Sequence, residues 1–205
     1  MNLHPLPEDL SLLSAIERMD VETIATILFN RGADPNEKSQ DGETALLIAA
    51  KTGHAKVVRI LLDNGAEPNT PDPNGGTPLL WAATEGYVEI VKILLDNGAD
   101  PNTPDPNGVT PLIVAATERY VEIVKILLDK GADPNEKNQN GETALPTAAQ
   151  KGHAKVVRIL LDKGADPNTP DQDGNTPLIL AATEGYVDVV AVLLNITYRS
   201  HCFSP

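Results

Sequence analysis

The pair Gly-Ala recurs at Gly32, Gly65, Gly98, Gly131 and Gly164, in steps of 33 residues. The pattern Thr-x-Leu-x-x-Ala-Ala starts at Thr44, Thr77, Thr110, Thr143 and Thr176, in the same step. No insertion disturbs the register between Gly32 and Ala182. A fixed period of this length marks an architecture of stacked short units, and it has to be settled before any local motif is interpreted. The stretch "TPDPNGGTPLLW" at Thr70–Trp81 resembles a phosphate-cradling loop when taken alone. It returns as "TPDPNGVTPLIV" at Thr103–Val114, has no lysine, and follows a helical pattern where a cradle follows a strand. It therefore reads as repeated scaffolding.

Each unit has the same local logic. Thr77-Pro78 is a helix start, a hydroxyl cap with proline in the first helical position. "LLWAA" carries a first helix whose alanines allow close helix approach, and Gly86 suits a left-handed C-cap. "VEIVKILLDNG" is a second helix with Val88, Val91, Leu94 and Leu95 on one face. "ADPNTPDPNG" is too rich in turn formers to be helical.

The unit "GGTPLLWAATEGYVEIVKILLDNGADPN" resembles an ankyrin repeat, with its glycine turn, Thr-Pro-Leu, paired alanines and Gly-Ala-Asp-x-Asn. The resemblance implies an all-α solenoid of stacked helix-turn-helix units with β-hairpin-like fingers. The chain then divides as one domain. An N-terminal capping repeat covers 1–40, with helices near Glu8–Arg18 and Val21–Asn30. Full repeats follow at 41–73, 74–106, 107–139 and 140–172, and a C-terminal repeat at 173–205 leaves the pattern from about residue 195.

Some positions depart from the family. The histidine of Thr-Pro-Leu-His is replaced by Leu47, Leu80, Ile113, Pro146 and Ile179. Pro146 falls in the first helical turn, where proline is tolerated. Arg119 stands where Gly53, Gly86, Gly152 and Gly185 end the first helix. A positive φ there would strain it by about 1 kcal/mol. A longer period lies above the first. "GHAKVVRILLD" at Gly53–Asp63 returns at Gly152–Asp162, 99 residues on, as does "AATEGYV". Duplication of a three-repeat block explains it economically.

Composition narrows the function classes. The net charge of -13 argues against nucleic acid, which is held by clustered Lys and Arg. No segment approaches the roughly 20 apolar residues of a membrane span. One cysteine, Cys202, forms no internal disulfide, and the start of the chain lacks a signal-peptide pattern. The expectation is an intracellular, cytoplasmic protein, with delivery into a host cell left open.

The sequence points to no catalytic, cofactor or metal residues. Carboxylates such as Asp63, Asp96, Asp129 and Asp162 recur in register, as capping and solubilising groups do. His54 and His153 occupy the family's Gly-His position, a structural one. His201 and Cys202 are adjacent and lack spaced partners for zinc, and His4 stands apart. The finger asparagines Asn36, Asn69, Asn102, Asn135 and Asn168 match a position that asparaginyl hydroxylases modify in some ankyrin proteins. Each is expected instead to hydrogen-bond within its own turn.

The resemblance implies a non-enzymatic protein–protein scaffold or adaptor, with a protein or peptide partner on the concave face and finger tips. Specific contacts belong to the residues that vary between repeats. Trp81 is the leading anchor, since tryptophan is enriched at binding hot spots. Val114 accompanies it, with Glu85 and Glu118 as flanking charges and Pro71, Pro73, Asn74, Pro104, Pro106 and Asn107 at the finger tips. Such a patch suits a partner with an apolar centre and basic rim. An alternative is the targeting or regulatory module of an enzyme whose catalytic part lies elsewhere. In the last repeat Val189, Val192, Tyr198 and Phe203 are expected to leave an apolar end, covered by the tail or used for weak homodimerisation.

Overall fold

The computed structural model describes residues 11–17, 23–24, 27 and 33–202, with backbone alone at residue 17 and from residue 196 onward. The chain forms two compact units, Met1–Asp100 and Pro101–Pro205. In the first, α1 (Leu12–Glu17) precedes the pairs α2 (Ala45–Lys51) with α3 (Ala55–Asp63) and α4 (Pro78–Thr84) with α5 (Val88–Asp96). In the second stand α6 (Pro111–Thr117) with α7 (Val121–Asp129), α8 (Ala144–Gln150) with α9 (Ala154–Asp162), and α10 (Pro177–Thr183) with α11 (Val187–Cys202). Each unit is a length of helical repeat. Among the described residues, pairing between extended segments is confined to one bridge, Lys38 with Thr44. The fingers are tight turns without a strand ladder.

The sequence logic operates atom by atom. Thr44, Thr77, Thr110 and Thr176 accept the N–H of Leu47, Leu80, Ile113 and Ile179 at 3.2–3.4 Å and so cap their helices. Thr143 makes no such bond, because the third helical residue there is Pro146, which has no N–H. The proline is tolerated, but at the expense of the cap. The paired alanines Ala49-Ala50, Ala82-Ala83, Ala115-Ala116 and Ala148-Ala149 are wholly buried. Around them lie Leu46, Val57, Val58 and Leu61 in the first unit and Leu112, Ile123, Val124 and Leu127 in the second, an aliphatic core.

Each first helix ends on a left-handed residue. Gly53 and Gly152 adopt φ of 83° and 74°, and a Cβ on either would stand under 3.0 Å from the ring of Tyr87 or Tyr186. Glycine is therefore needed twice over, for its conformation and for the tyrosine lying on it. Arg119 adopts φ of 63° at the same position, so the strain expected of it is present. One repeat on, the residue in the tyrosine's place is His153, whose Nε2 lies 3.0 Å from the Thr117 carbonyl oxygen.

The finger asparagines correct the expectation of a bond within the turn. Asn36 donates from Nδ2 to the Gly65 carbonyl at 3.1 Å and accepts the Glu67 N–H at 2.8 Å. Asn69, Asn102 and Asn135 make the same two bonds to Gly98 and Asp100, Gly131 and Asp133, and Gly164 and Asp166. The side chain sits at the edge of its repeat, within reach of the Gly-Ala turn of the next. One amide thus serves a carbonyl and an N–H that would otherwise face solvent.

The C-terminal repeat holds a second correction. Val189 and Val192 are 0% and 6% exposed. They occupy the register of Ile90 and Ile93, which are buried as well, so they offer no exposed apolar surface. Among the described residues the exposed large apolar side chains are Ile179, Tyr186, Val187 and Leu194. The side chain of Tyr198, and Phe203 altogether, lie outside the described residues, as do His4 and most of the two N-terminal helices expected near Glu8–Arg18 and Val21–Asn30. Helix α11 continues to Cys202, through the segment where the sequence leaves the repeat pattern.

Candidate functional site

The residues singled out for partner binding divide between the units. Trp81, Glu85, Pro71, Pro73 and Asn74 belong to the first, and Val114, Glu118, Pro104, Pro106 and Asn107 to the second. The finger-tip residues and both glutamates are exposed, and Trp81 and Val114 are half-buried.

In the first unit the tryptophan is engaged internally. The finger leading into α4 turns on Asp72, whose Oδ1 accepts the N–H of Asn74 and Gly76, each at 2.9 Å. Its Oδ2 accepts the Trp81 indole N–H, also at 2.9 Å. A Cβ on Gly76 would collide with that indole nitrogen. Elsewhere the position of Gly76 holds Glu43, Val109, Glu142 or Asn175. The second glycine of "NGG" therefore exists to admit the tryptophan. Over the ring lies Lys51, its Nζ 4.5 Å from the ring centroid and 2.7 Å from Glu43 Oε1. A cation over an aromatic face with a carboxylate behind it adds about 0.5–1 kcal/mol at a partly exposed site.

In the second unit the same register is open. Two repeats after Lys51 and Trp81 stand Thr117 and Thr147. Exchanging a lysine and a tryptophan for two threonines leaves a cleft of about 300 Å³ between α6 and α8. Its apolar wall is Val109, Ile113 and Val114, with the two threonines beside them. Glu118, Glu142, Gln150 and Lys151 form its polar part. Glu142 Oε2 accepts a hydrogen bond from Asn138 Nδ2 at 2.9 Å. Among the described residues no cation lies within 4.0 Å of Glu118 or Glu142, whereas Glu43, which stands 99 residues before Glu142, has Lys51.

The finger tips are partly committed to each other. Gln139 donates its N–H to the Asn107 carbonyl at 2.8 Å and its side-chain amide to the Pro106 carbonyl. Gln172 repeats the side-chain bond to the Gln139 carbonyl at 3.1 Å. In the first unit, where Pro73 has no N–H to give, the proline ring packs on Gly42 instead. Pro106 and Asn107 are exposed, the Asn107 amide donating to Asp105 Oδ2 at 3.3 Å. A second cleft, of about 360 Å³, lies between α9 and α11 and is lined by Ala154, Lys155, Arg158, Asp188, Ala191, Val192 and Asn195.

The histidines are engaged locally. His54 Nδ1 lies 2.8 Å from Thr52 Oγ1, and His153 Nε2 faces the Thr117 carbonyl. Among the described residues no group of His, Cys, Asp and Glu is placed to hold a metal ion, and no helix is long and apolar enough to cross a membrane. Two features escaped sequence reasoning, the Lys51–Trp81–Asp72 arrangement and the opening at Thr117 and Thr147. A signal for both was present. The only Gly-Gly in a finger coincides with the only tryptophan, and each is absent two repeats later.

A family model described as "Ankyrin repeats (3 copies)" matches residues 12–105, 102–138 and 112–201. No curated protein matches the chain.

Proposed function

The chain belongs to the ankyrin-repeat family, whose repeats are generally modules of protein–protein interaction, and we propose that it is a non-enzymatic scaffold that docks a protein or peptide on its first helices and finger tips. The centre of that surface is the cleft between α6 and α8. One observation carries this reading: departures from local folding rules gather at its rim. Arg119, strained at φ 63°, adjoins Glu118, and Pro146, which deprives Thr143 of its cap bond, adjoins Thr147. Rule-breaking of this kind concentrates where a surface is shaped for something other than stability. A photo-crosslinking residue placed at Val114 tests it against one at Lys125, an exposed position on the second helix α7. Capture of a defined protein at 114 and not at 125 is the expected result. Equal capture at both, or capture at 125 alone, sinks the reading.

A further inference from the structure

We propose that the cleft between α6 and α8 receives the side chain of a lysine or arginine presented by the partner, an inference that rests on the docking surface just described. The first unit displays the pattern with the chain's own residue. There Lys51 of α2 holds its ammonium 2.7 Å from Glu43 and over the Trp81 ring. Two repeats later the lysine is gone, and so is the ring, and the space between the helices is open. Leu47 and Ile48 have become Ile113 and Val114, and Val109 stands in the place of Glu43. Val109, Ile113 and Val114 offer apolar surface suited to the methylene stem of a long basic side chain, which buries its carbons and keeps its charge at the rim.

The charge at the mouth selects the head group. Glu118 and Glu142 line the cleft together with a single cation, Lys151. Among the described residues none of these three is joined in an ion pair. The lining therefore carries a net negative charge, one positive against two negative, with carboxylate oxygens still able to accept. An acidic side chain meets two like charges there. A purely apolar one leaves both carboxylates beside it without a countercharge and displaces part of their hydration. A guanidinium or ammonium on an aliphatic stem satisfies wall and mouth together. The chain's charge of -13 adds a long-range attraction for a basic partner.

The probes are n-butylguanidinium and n-butylammonium, with n-butanol as the neutral control, titrated into the full chain and followed by backbone amide NMR. The cations are expected to shift the amides of Val114, Thr117, Glu118, Thr147 and Gln150 and to saturate in the millimolar range. The Glu118→Gln/Glu142→Gln variant, which alters two side chains outside the core, is expected to weaken them roughly fivefold and leave n-butanol unchanged. Thr147→Leu, which narrows the cleft, is expected to weaken all three probes. The inference is overturned if the cations move no amide around the cleft, if n-butanol binds as well as they do, or if the double variant binds them like the parent chain. A partner crosslinked at Val114 whose capture is unaffected by the double variant overturns the basic-side-chain inference alone. Failure of the crosslink itself removes the docking surface.

Discussion

The first unit fills the register that the second leaves open. In α2 and α4 a lysine, a tryptophan and a finger aspartate close on one another, and a glycine has been placed to let them meet. In α6 and α8 the same positions are threonines, the helix cap is missing and a left-handed position is held by arginine. Both regions are built on the same repeat, so backbone geometry does not explain the difference. The contrast teaches that a repeat fold tolerates two uses of one register. Filled by its own side chains, the face contributes stability. Emptied, it becomes a cleft, with two departures from local rules beside it.

That contrast can be broken most directly at Trp81. Trp81→Ala removes a half-buried ring with its hydrogen bond and cation contact, and is expected to cost about 2 kcal/mol, below the range for a fully buried tryptophan. Urea unfolding measures it. A loss under 0.5 kcal/mol would mean the ring is not part of the scaffold. Gly76→Ala sharpens the point. It is expected to cost about 1–2 kcal/mol by displacing the indole, and much less in a Trp81→Leu background. Additive effects in that cycle would show that Gly76 serves some purpose other than admitting the ring.

In the second unit the expected changes run the other way. Arg119→Gly relieves the left-handed strain and is expected to stabilise by about 0.5–1 kcal/mol. Destabilisation would instead show that the arginine makes contacts worth more than its strain. Pro146→Leu restores the N–H that Thr143 lacks. A cap is worth about 1 kcal/mol, and loss of proline's restriction on the unfolded chain takes part of that back, leaving about 0.5 kcal/mol of stabilisation. Unchanged or lowered thermal stability would argue that the cap is of no consequence at this helix.

The smallest effect lies in the finger of Asp171. The Asn175 backbone N–H, donating at 2.8 Å, holds this carboxyl below the usual carboxylate range; desolvation opposes it, and bonds from the Asn175 side chain and the backbones of Asp173 and Gly174 assist. A folded pKa below the unfolded one means a contribution present above the unfolded value and lost as pH falls through the folded value. Asp171→Asn keeps the turn, as Asn138 does one repeat earlier, and is expected to remove this part of the acid sensitivity. A carboxyl NMR titration of Asp171 with a midpoint at or above the ordinary aspartate value contradicts it.

Much of this was legible in the chain. Caps, breaks and helix faces follow from Thr, Gly and the aliphatic spacing, because each depends on residues a few positions apart. The strain at Arg119 was legible for the same reason, since four glycines mark the conformation its position demands. The partners of the finger asparagines were not. Their bonds run to groups 29 and 31 residues away, and a side chain at a turn satisfies a local reading equally well until the neighbouring repeat is in place. The burial of Val189 and Val192 was not legible either, because an apolar residue in a terminal helix is either covered within its own chain or left open, and the pattern alone does not distinguish the two.

Trp81 shows the division most clearly. By itself the sequence determined the period, the all-α repeat, the helix boundaries, and the fact that this tryptophan stands outside the repeat's common pattern. Those are consequences of short-range stereochemistry repeated at a constant interval. Only the tertiary structure decided that the ring is closed in by Asp72, Gly76 and Lys51, and that the opening lies at Thr117 and Thr147. Whether a surface position is filled or vacant depends on side chains from two stacked repeats meeting across their interface, and that meeting is set by packing in space.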